Sequence, residues 1–420
     1  MSHPLPHARG PVSGRVLVPG SKSETNRALV LAALADGPST ITGALRSRDS
    51  SLMIGALRAL GVRISDHPEG ELRIVPPTGF LAAVGGIDCG LAGTVMRFVP
   101  PIAALADGPT MFHGDRHASA RPMAGLLDGL RSLGVAVDSD QLPFTVTGPL
   151  RNGGMVTVDS SATSQYVSGL LLVGARLVGG LTVRHVGATL PSRPHIEMTI
   201  AMLRARGVVV DEVGESAWFV HQGRIAALDG QVEPDLTNAS VFLAAAAATG
   251  GSVTVPGWPT HSLQPGGMFL DVVSAMGATV ARRGDEVTVT GSGPLGGVDV
   301  DLHAASELTP VVAALAALAE GPTTIRGVGH IRGHETDRLA ALAKEFTRLG
   351  IRAGQTSDGI EIHGGGGLAR GPFETYADHR MVHAAAILAL RIPGLGVTDL
   401  DCVGKTMPDF AADWSSLVGA

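Results

Sequence analysis

A chain of 420 residues, 45% hydrophobic and 17% charged, has room for about two or three domains around a sizeable core. A net charge of −6 without any long basic run leaves no footprint for nucleic acid, and no apolar stretch approaches the roughly 20 residues that span a bilayer. Cys89 and Cys402 are too few for a disulfide framework or a conventional zinc site, and residues 1–10 lack an apolar signal region, so the cytoplasm is the expected compartment.

The first informative stretch is 18–29, Val-Pro-Gly-Ser-Lys-Ser-Glu-Thr-Asn-Arg-Ala-Leu. Pro19 and Gly20 break a β-like run, and Ser21 or Ser23 can cap the Ala/Leu-rich helix that follows. Lys22 and Arg27 then lie beside the free backbone N–H groups of a helix start, a natural seat for phosphate or carboxylate. Only Lys22, Lys344 and Lys405 are lysines among the 32 basic residues, so two of the three stand at helix entries.

Glycines at 37, 108, 180, 251, 321 and 394 mark a unit that recurs six times at a spacing of about 71 residues. Each marker ends an apolar helix, expected over 25–35, 94–106, 164–178, 237–248, 307–319 and 379–390. A short β-branched run follows, as in 39–42, 252–255 and 323–326, then a second, amphipathic helix. That helix closes on a recurring phrase with Gly61, Gly134, Gly207, Gly277 or Gly350 as its C-cap. Each unit reads as strand, helix, strand, helix, strand, strand. Six make an α/β protein of two domains with three copies each, expected as 19–232 and as 1–18 joined to 233–420. The N-terminal strand would pair with the second half, and the Pro-containing stretch 231–235 is the return crossing.

The helix entries argue against an inert repeat scaffold. First-helix entries carry Lys22, Ser23 and Arg27, then Gly93 and Arg97, Thr163-Ser164-Gln165, Asp235 and Asn238, Glu307, and Asp378-His379-Arg380. Second-helix entries carry Asp49, Arg121, Ser192-Arg193, Gln264, residues 335–338, and Lys405-Thr406. A cation in a first turn forgoes the favourable dipole interaction, about 0.3–1 kcal/mol, so anionic ligands are the expected compensation. If the repeats share one orientation, the entries face a cleft between the domains that suits two mutually repelling oxyanions. Glu307 and Glu335 are then the candidates for proton transfer. His330 and His334 could form a ligand pair, but no third metal ligand is evident, so no metal is expected.

These residues resemble the 5-enolpyruvylshikimate-3-phosphate synthases of the enolpyruvyl transferase superfamily. The matching motifs are G-S-K-S-x-x-N-R at 20–27, A-G-T-x-M-R at 92–97, Arg121-Pro122, S-Q-Y at 164–166, E-T-D-R-L at 335–339, D-H-R-M at 378–381 and K-T-x-P-D at 405–409. The resemblance implies an inside-out α/β barrel in each of two domains. It implies transfer of the enolpyruvyl group of phosphoenolpyruvate to the 5-hydroxyl of shikimate 3-phosphate, releasing phosphate, by a monomer without a cofactor, and inhibition by glyphosate. Lys22, Ser23, Arg27, Thr163, Ser164, Gln165, Ser192, Glu307 and His334 are the implied shikimate 3-phosphate contacts. Lys22, Gly93, Arg121, Gln165, Arg338, Arg380 and Lys405 are the implied grip on phosphoenolpyruvate, with Glu307 as proton acceptor from the 5-hydroxyl and Glu335, aided by Lys22, handling the methylene proton.

Four positions depart from the family pattern: His334 where many members have lysine, Leu91 for asparagine, His195 for tyrosine and Phe98 for proline. A neutral His334 would weaken the charge on shikimate 3-phosphate, so binding is expected to tighten as the imidazole protonates. A sister activity on UDP-N-acetylglucosamine would use a cysteine on a mobile loop, a context neither cysteine has; a catalytically dead anion-binding protein is the other alternative.

Overall fold

The computed structural model describes residues 2–365 and 371–419. The chain divides into two compact units, Gly20–Val232 and Met1–Pro19 with Glu233–Ala420.

The unit Gly20–Val232 contains helices α1 (Lys22–Leu34), α2 (Arg48–Ala59), α3 (Gly93–Ala103), α4 (Ala124–Ser132), α5 (Gln165–Gly174) and α6 (Pro194–Arg204). Its strands form three four-stranded sheets with one wiring. In the second, Gly108–His113 pairs parallel with Ile87–Asp88 and antiparallel with Phe144–Gly148, which pairs antiparallel with Ala136–Val137. The same pattern places Gly230–Gln231 parallel to Ser39–Thr42, and Asn152–Val158 parallel to Val178–His185. Helices α1, α3 and α5 pack on one another. They are buried around most of their circumference, as central helices surrounded by protein.

The other unit repeats the plan with α7 (Leu236–Thr249), α8 (Phe269–Ala275), α9 (Thr309–Leu318), α10 (Arg338–Arg348), α11 (His379–Ala389) and α12 (Phe410–Val418). Here α7, α9 and α11 pack together. Alanine dominates α7, where Ala239 and Ala244 to Ala246 are all solvent-free, so the helices approach closely and the larger side chains of Val241, Phe242 and Leu243 fill the gaps. Burying one Val or Leu side chain contributes about 1.5–3 kcal/mol, and each unit holds its own apolar core. The N-terminal strand Gly14–Arg15 runs parallel to Ser252–Pro256.

Several helix boundaries differ from the expectations, α1 among them, which starts at Lys22 under its Ser21 cap rather than at residue 25. Helix α5 stops at Gly174 because Val178–His185 is a strand, its β-branched residues pairing with two neighbours. Helix α3 stops at Ala103, just past Pro100 and Pro101, which remove two backbone donors. Glu307 lies not in a helix but in the 3-10 turn Ser306–Leu308, and α9 starts only at Thr309 with Pro310 in its first turn. The recurring helix-closing phrase behaves uniformly. Gly61, Gly134, Gly207, Gly277 and Gly350 all have φ between 77° and 107°, and in each case the next N–H bonds back five residues, as Val62 to Leu57 and Ile351 to Phe346. A Cβ in that left-handed region is strained, so glycine suits the cap.

Candidate active site

In the unit Gly20–Val232, Ser21 caps α1, accepting from the backbone N–H of Glu24 at 3.4 Å, so Lys22 is the first helical residue. The Lys22 ammonium lies 3.5 Å from the buried carboxylate of Asp49, which sits in the first turn of α2. Gly93 opens α3 without a side-chain cap. A Cβ built on Gly93 would lie 2.8 Å from an Arg97 guanidinium nitrogen and 3.1 Å from one of Arg121, so two cations crowd this backbone. The loop carrying Arg121 is tied twice through the carbonyl of Pro122, which accepts from Arg97 at 3.1 Å and from the Tyr166 hydroxyl at 2.6 Å. Arg121 itself donates to the Leu91 carbonyl at 3.1 Å.

At α5 the hydroxyl of Thr163 accepts from the backbone N–H of Gln165 at 3.2 Å, Ser164 is buried, and the Gln165 side-chain oxygen is buried without a hydrogen-bond partner among the described residues. Ser192, just before α6, has φ of 52°. A non-glycine residue in that region costs about 1–3 kcal/mol, a strain kept where the surroundings require it. Arg27 is almost wholly buried: it donates to Thr199 at 2.7 Å, to the Ser23 carbonyl at 2.9 Å and to the His195 carbonyl at 3.0 Å.

The second unit gathers its charges around Arg338, the first residue of α10, whose side chain is 0% exposed. Its guanidinium reaches Asp378 at 2.7 Å, Glu307 at 2.9 Å and Glu335 at 2.9 Å. Arg380 donates to Glu307 at 3.1 Å and to Asn238 at 3.2 Å, and Lys405 pairs with Glu335. In this structure the helix-entry cations Arg338, Arg380 and Lys405 are met by Glu307, Glu335 and Asp378 of the protein itself. Removing charge from water is costly enough that a buried guanidinium needs several acceptors. Asp378, which also caps α11 through the Arg380 N–H at 2.9 Å, escaped the sequence reading as a site residue although it stands inside the D-H-R-M motif.

Burial alone would raise the Glu307 carboxyl, but Arg338, a hydrogen bond from His334 and Arg380 together hold it well below the usual carboxylate range. The Nδ1 of His334 lies 3.3 Å from Glu307 and 3.1 Å from Arg338, able to donate to the first or accept from the second, not both with one proton state. Burial, with His334 and His303 nearby, lowers the neighbouring His330 to about 4, and its Nε2 shares a hydrogen bond with Ser306 at 2.8 Å. Strong desolvation beside opposing charges is a mark of functional sites.

The family model for EPSP synthase (3-phosphoshikimate 1-carboxyvinyltransferase) matches residues 6–414. The chain belongs to that family. A 3-phosphoshikimate 1-carboxyvinyltransferase of Mycobacterium ulcerans (strain Agy99) is 52% identical over 427 aligned positions, covering 99% of this chain and 97% of the relative. An EPSP synthase structure from Acinetobacter baumannii matches at 26% identity with a TM-score of 0.81, covering 99% of this chain and 97% of that one. The enolpyruvyl transferase NikO of Streptomyces tendae, at 22% identity and a TM-score of 0.76 over 99% and 98% of the two chains, shares the fold. The architecture is accordingly the two-domain inside-out α/β fold. The enzyme transfers the enolpyruvyl group of phosphoenolpyruvate to shikimate 3-phosphate in the shikimate pathway. Among the described residues no helix is long and apolar enough to cross a membrane.

Proposed function

We propose the following division of labour for this reaction, acting in a cytoplasmic monomer. Ser23, Arg27, Thr163, Ser164, Gln165, Ser192 and His334 bind shikimate 3-phosphate. Lys22, Gly93, Arg121, Arg338, Arg380 and Lys405 grip phosphoenolpyruvate, Lys22 and Gln165 serving both substrates. The observation that carries the assignment is the charge cluster on Arg338, where three cations and two glutamates share one site.

The chemistry explains why both signs are needed. The 5-hydroxyl oxygen adds to C2 of phosphoenolpyruvate, its proton passes to Glu307, and C3 takes a proton to become methyl. Phosphate then leaves C2 as C3 gives that proton back, restoring the double bond. Glu335, with Lys22, handles the C3 proton, and the cations stabilise the charge that accumulates on the tetrahedral intermediate. While Arg338 and Arg380 hold Glu307 so low, it is a weak base. Substrate anions that draw those guanidinium groups away strengthen it, which ties base activation to occupancy of the site.

Phosphate release by the purified enzyme tests the reading. Turnover is expected with phosphoenolpyruvate and shikimate 3-phosphate and absent with UDP-N-acetylglucosamine. Neither thiol suits the latter reaction: Cys89 and Cys402 are both pushed up to about 12, chiefly by burial. Lys22→Ala should abolish turnover and Glu335→Ala should lower kcat by about 100-fold or more. Full activity in Glu335→Ala would remove it from the proton path.

A further inference from the structure

Arg27 is a buried cation whose hydrogen-bond partners are all neutral. Its Nε donates to Thr199 Oγ1 at 2.7 Å, and its terminal nitrogens donate to the carbonyls of Ser23 and His195 at 2.9 and 3.0 Å and to Ser168 Oγ at 3.4 Å. The ring of Phe98 lies below the guanidinium, 5.1 Å from its centroid to the central carbon. Burial pushes Arg27 down to about 9, so it remains charged at neutral pH. These contacts join α1, α3, α5 and α6, four helices whose N-terminal ends carry Lys22, Gly93, Ser164 and Ser192. A guanidinium has five N–H groups, so four are spent inside the protein and one remains for an anion.

We infer that Thr199, helped by Phe98, is a positioning residue for shikimate 3-phosphate: it holds Arg27 in the orientation that aligns α1 with α6. Thr199 is fully buried, and among the described residues its hydroxyl is the sole hydrogen-bond partner of Arg27 Nε. The hydroxyl's own hydrogen goes to the His195 carbonyl at 3.0 Å or to Ser168 at 3.1 Å, so the oxygen keeps a lone pair directed to Arg27 in either case. Valine has nearly the same shape and no acceptor. It would leave a charged N–H desolvated and unpaired, and the guanidinium would have to turn toward other acceptors. Phe98 adds a cation–π contact that no proline at this position could make. The hydroxyl and the ring thus hold one cation from two helices.

This inference rests on Arg27 as a shikimate 3-phosphate contact, and the experiment separates the two. Steady-state kinetics and thermal unfolding are measured for Thr199→Val, Thr199→Ser, Phe98→Leu and Arg27→Gln. Thr199→Val should raise KM for shikimate 3-phosphate about tenfold, with kcat and KM for phosphoenolpyruvate within about twofold, and Thr199→Ser should restore the parent value. An unchanged KM in Thr199→Val, an equal rise in the serine variant, or a parallel loss in all three constants overturns it. If Thr199→Val fails to fold, Phe98→Leu decides: its KM for shikimate 3-phosphate should rise about threefold, and no rise overturns the inference. If Arg27→Gln also leaves that KM unchanged, the contact assignment falls as well; if only Arg27→Gln raises it, the inference alone falls.

Discussion

Gly93 shows how little one position can give. A methyl group there meets the guanidinium ends of Arg97 and Arg121, which are themselves tied to Pro122 and Leu91 carbonyls. Both ends can shift by a few tenths of an ångström, but each such shift moves a cation at the entry of α3. Gly93→Ala is therefore expected to raise KM for phosphoenolpyruvate about tenfold, with KM for shikimate 3-phosphate changed by less than about twofold; steady-state kinetics would show it. His334 gives a second prediction. Its imidazole lies 3.3 Å from Glu307 and 3.1 Å from Arg338, and a lysine in its place would bring a full positive charge toward a substrate that carries both a carboxylate and a phosphate. His334→Lys should tighten shikimate 3-phosphate binding about threefold or more, and calorimetric titration would show an unchanged affinity if this position plays no part.

Helix α11 carries a cost of its own. His383 is fully buried, 5.1 Å from the ring of Phe410, with neither ring nitrogen hydrogen-bonded among the described residues, and burial with Arg380 and Arg338 nearby holds it well below its usual 6.5. The unfolded chain therefore takes up a proton near pH 6.5 that the folded chain refuses, so stability is lost as pH falls below 6.5 and is unaffected above it. The slope approaches about 1.4 kcal/mol per pH unit. His383→Leu should reduce the loss of melting temperature between pH 6.5 and 5; an unchanged slope would show that other groups dominate acid sensitivity. The same helix illustrates what periodicity can reveal. Its apolar run and its Asp378 cap are legible in the chain, and the helix begins at His379 as that pattern requires. At α9 the apolar run alone misplaces the start: the 3-10 turn around Glu307 looks like helix in a window of apolar residues, while Pro310 marks the first turn that begins at Thr309.

For the molecule as a whole, a net charge of −6 coexists with a site rich in arginine and lysine. Both substrates are anions and must approach against the general field, so attraction is local and short-ranged. Raising the salt concentration from 0.05 to 0.5 M shortens the screening length to a few ångströms and should raise both KM values severalfold while kcat changes little. Rate measurements across that range would expose a purely steric site, which would be insensitive. The sixfold repeat, the helix pattern and the motif content were determined by the sequence itself, since each shows in short stretches of the chain: a cap, a helix period, a Gly-Thr or Asp-His-Arg cluster. Only the tertiary structure decided which of those residues meet. The pairing of Arg338 with Asp378 spans 40 residues, of Arg380 with Glu307 73, and of Arg27 with Thr199 172. No local pattern encodes such partners, because they are chosen by helices packing on helices, and Thr199 in particular carries no mark in the sequence beyond being a threonine in an amphipathic helix.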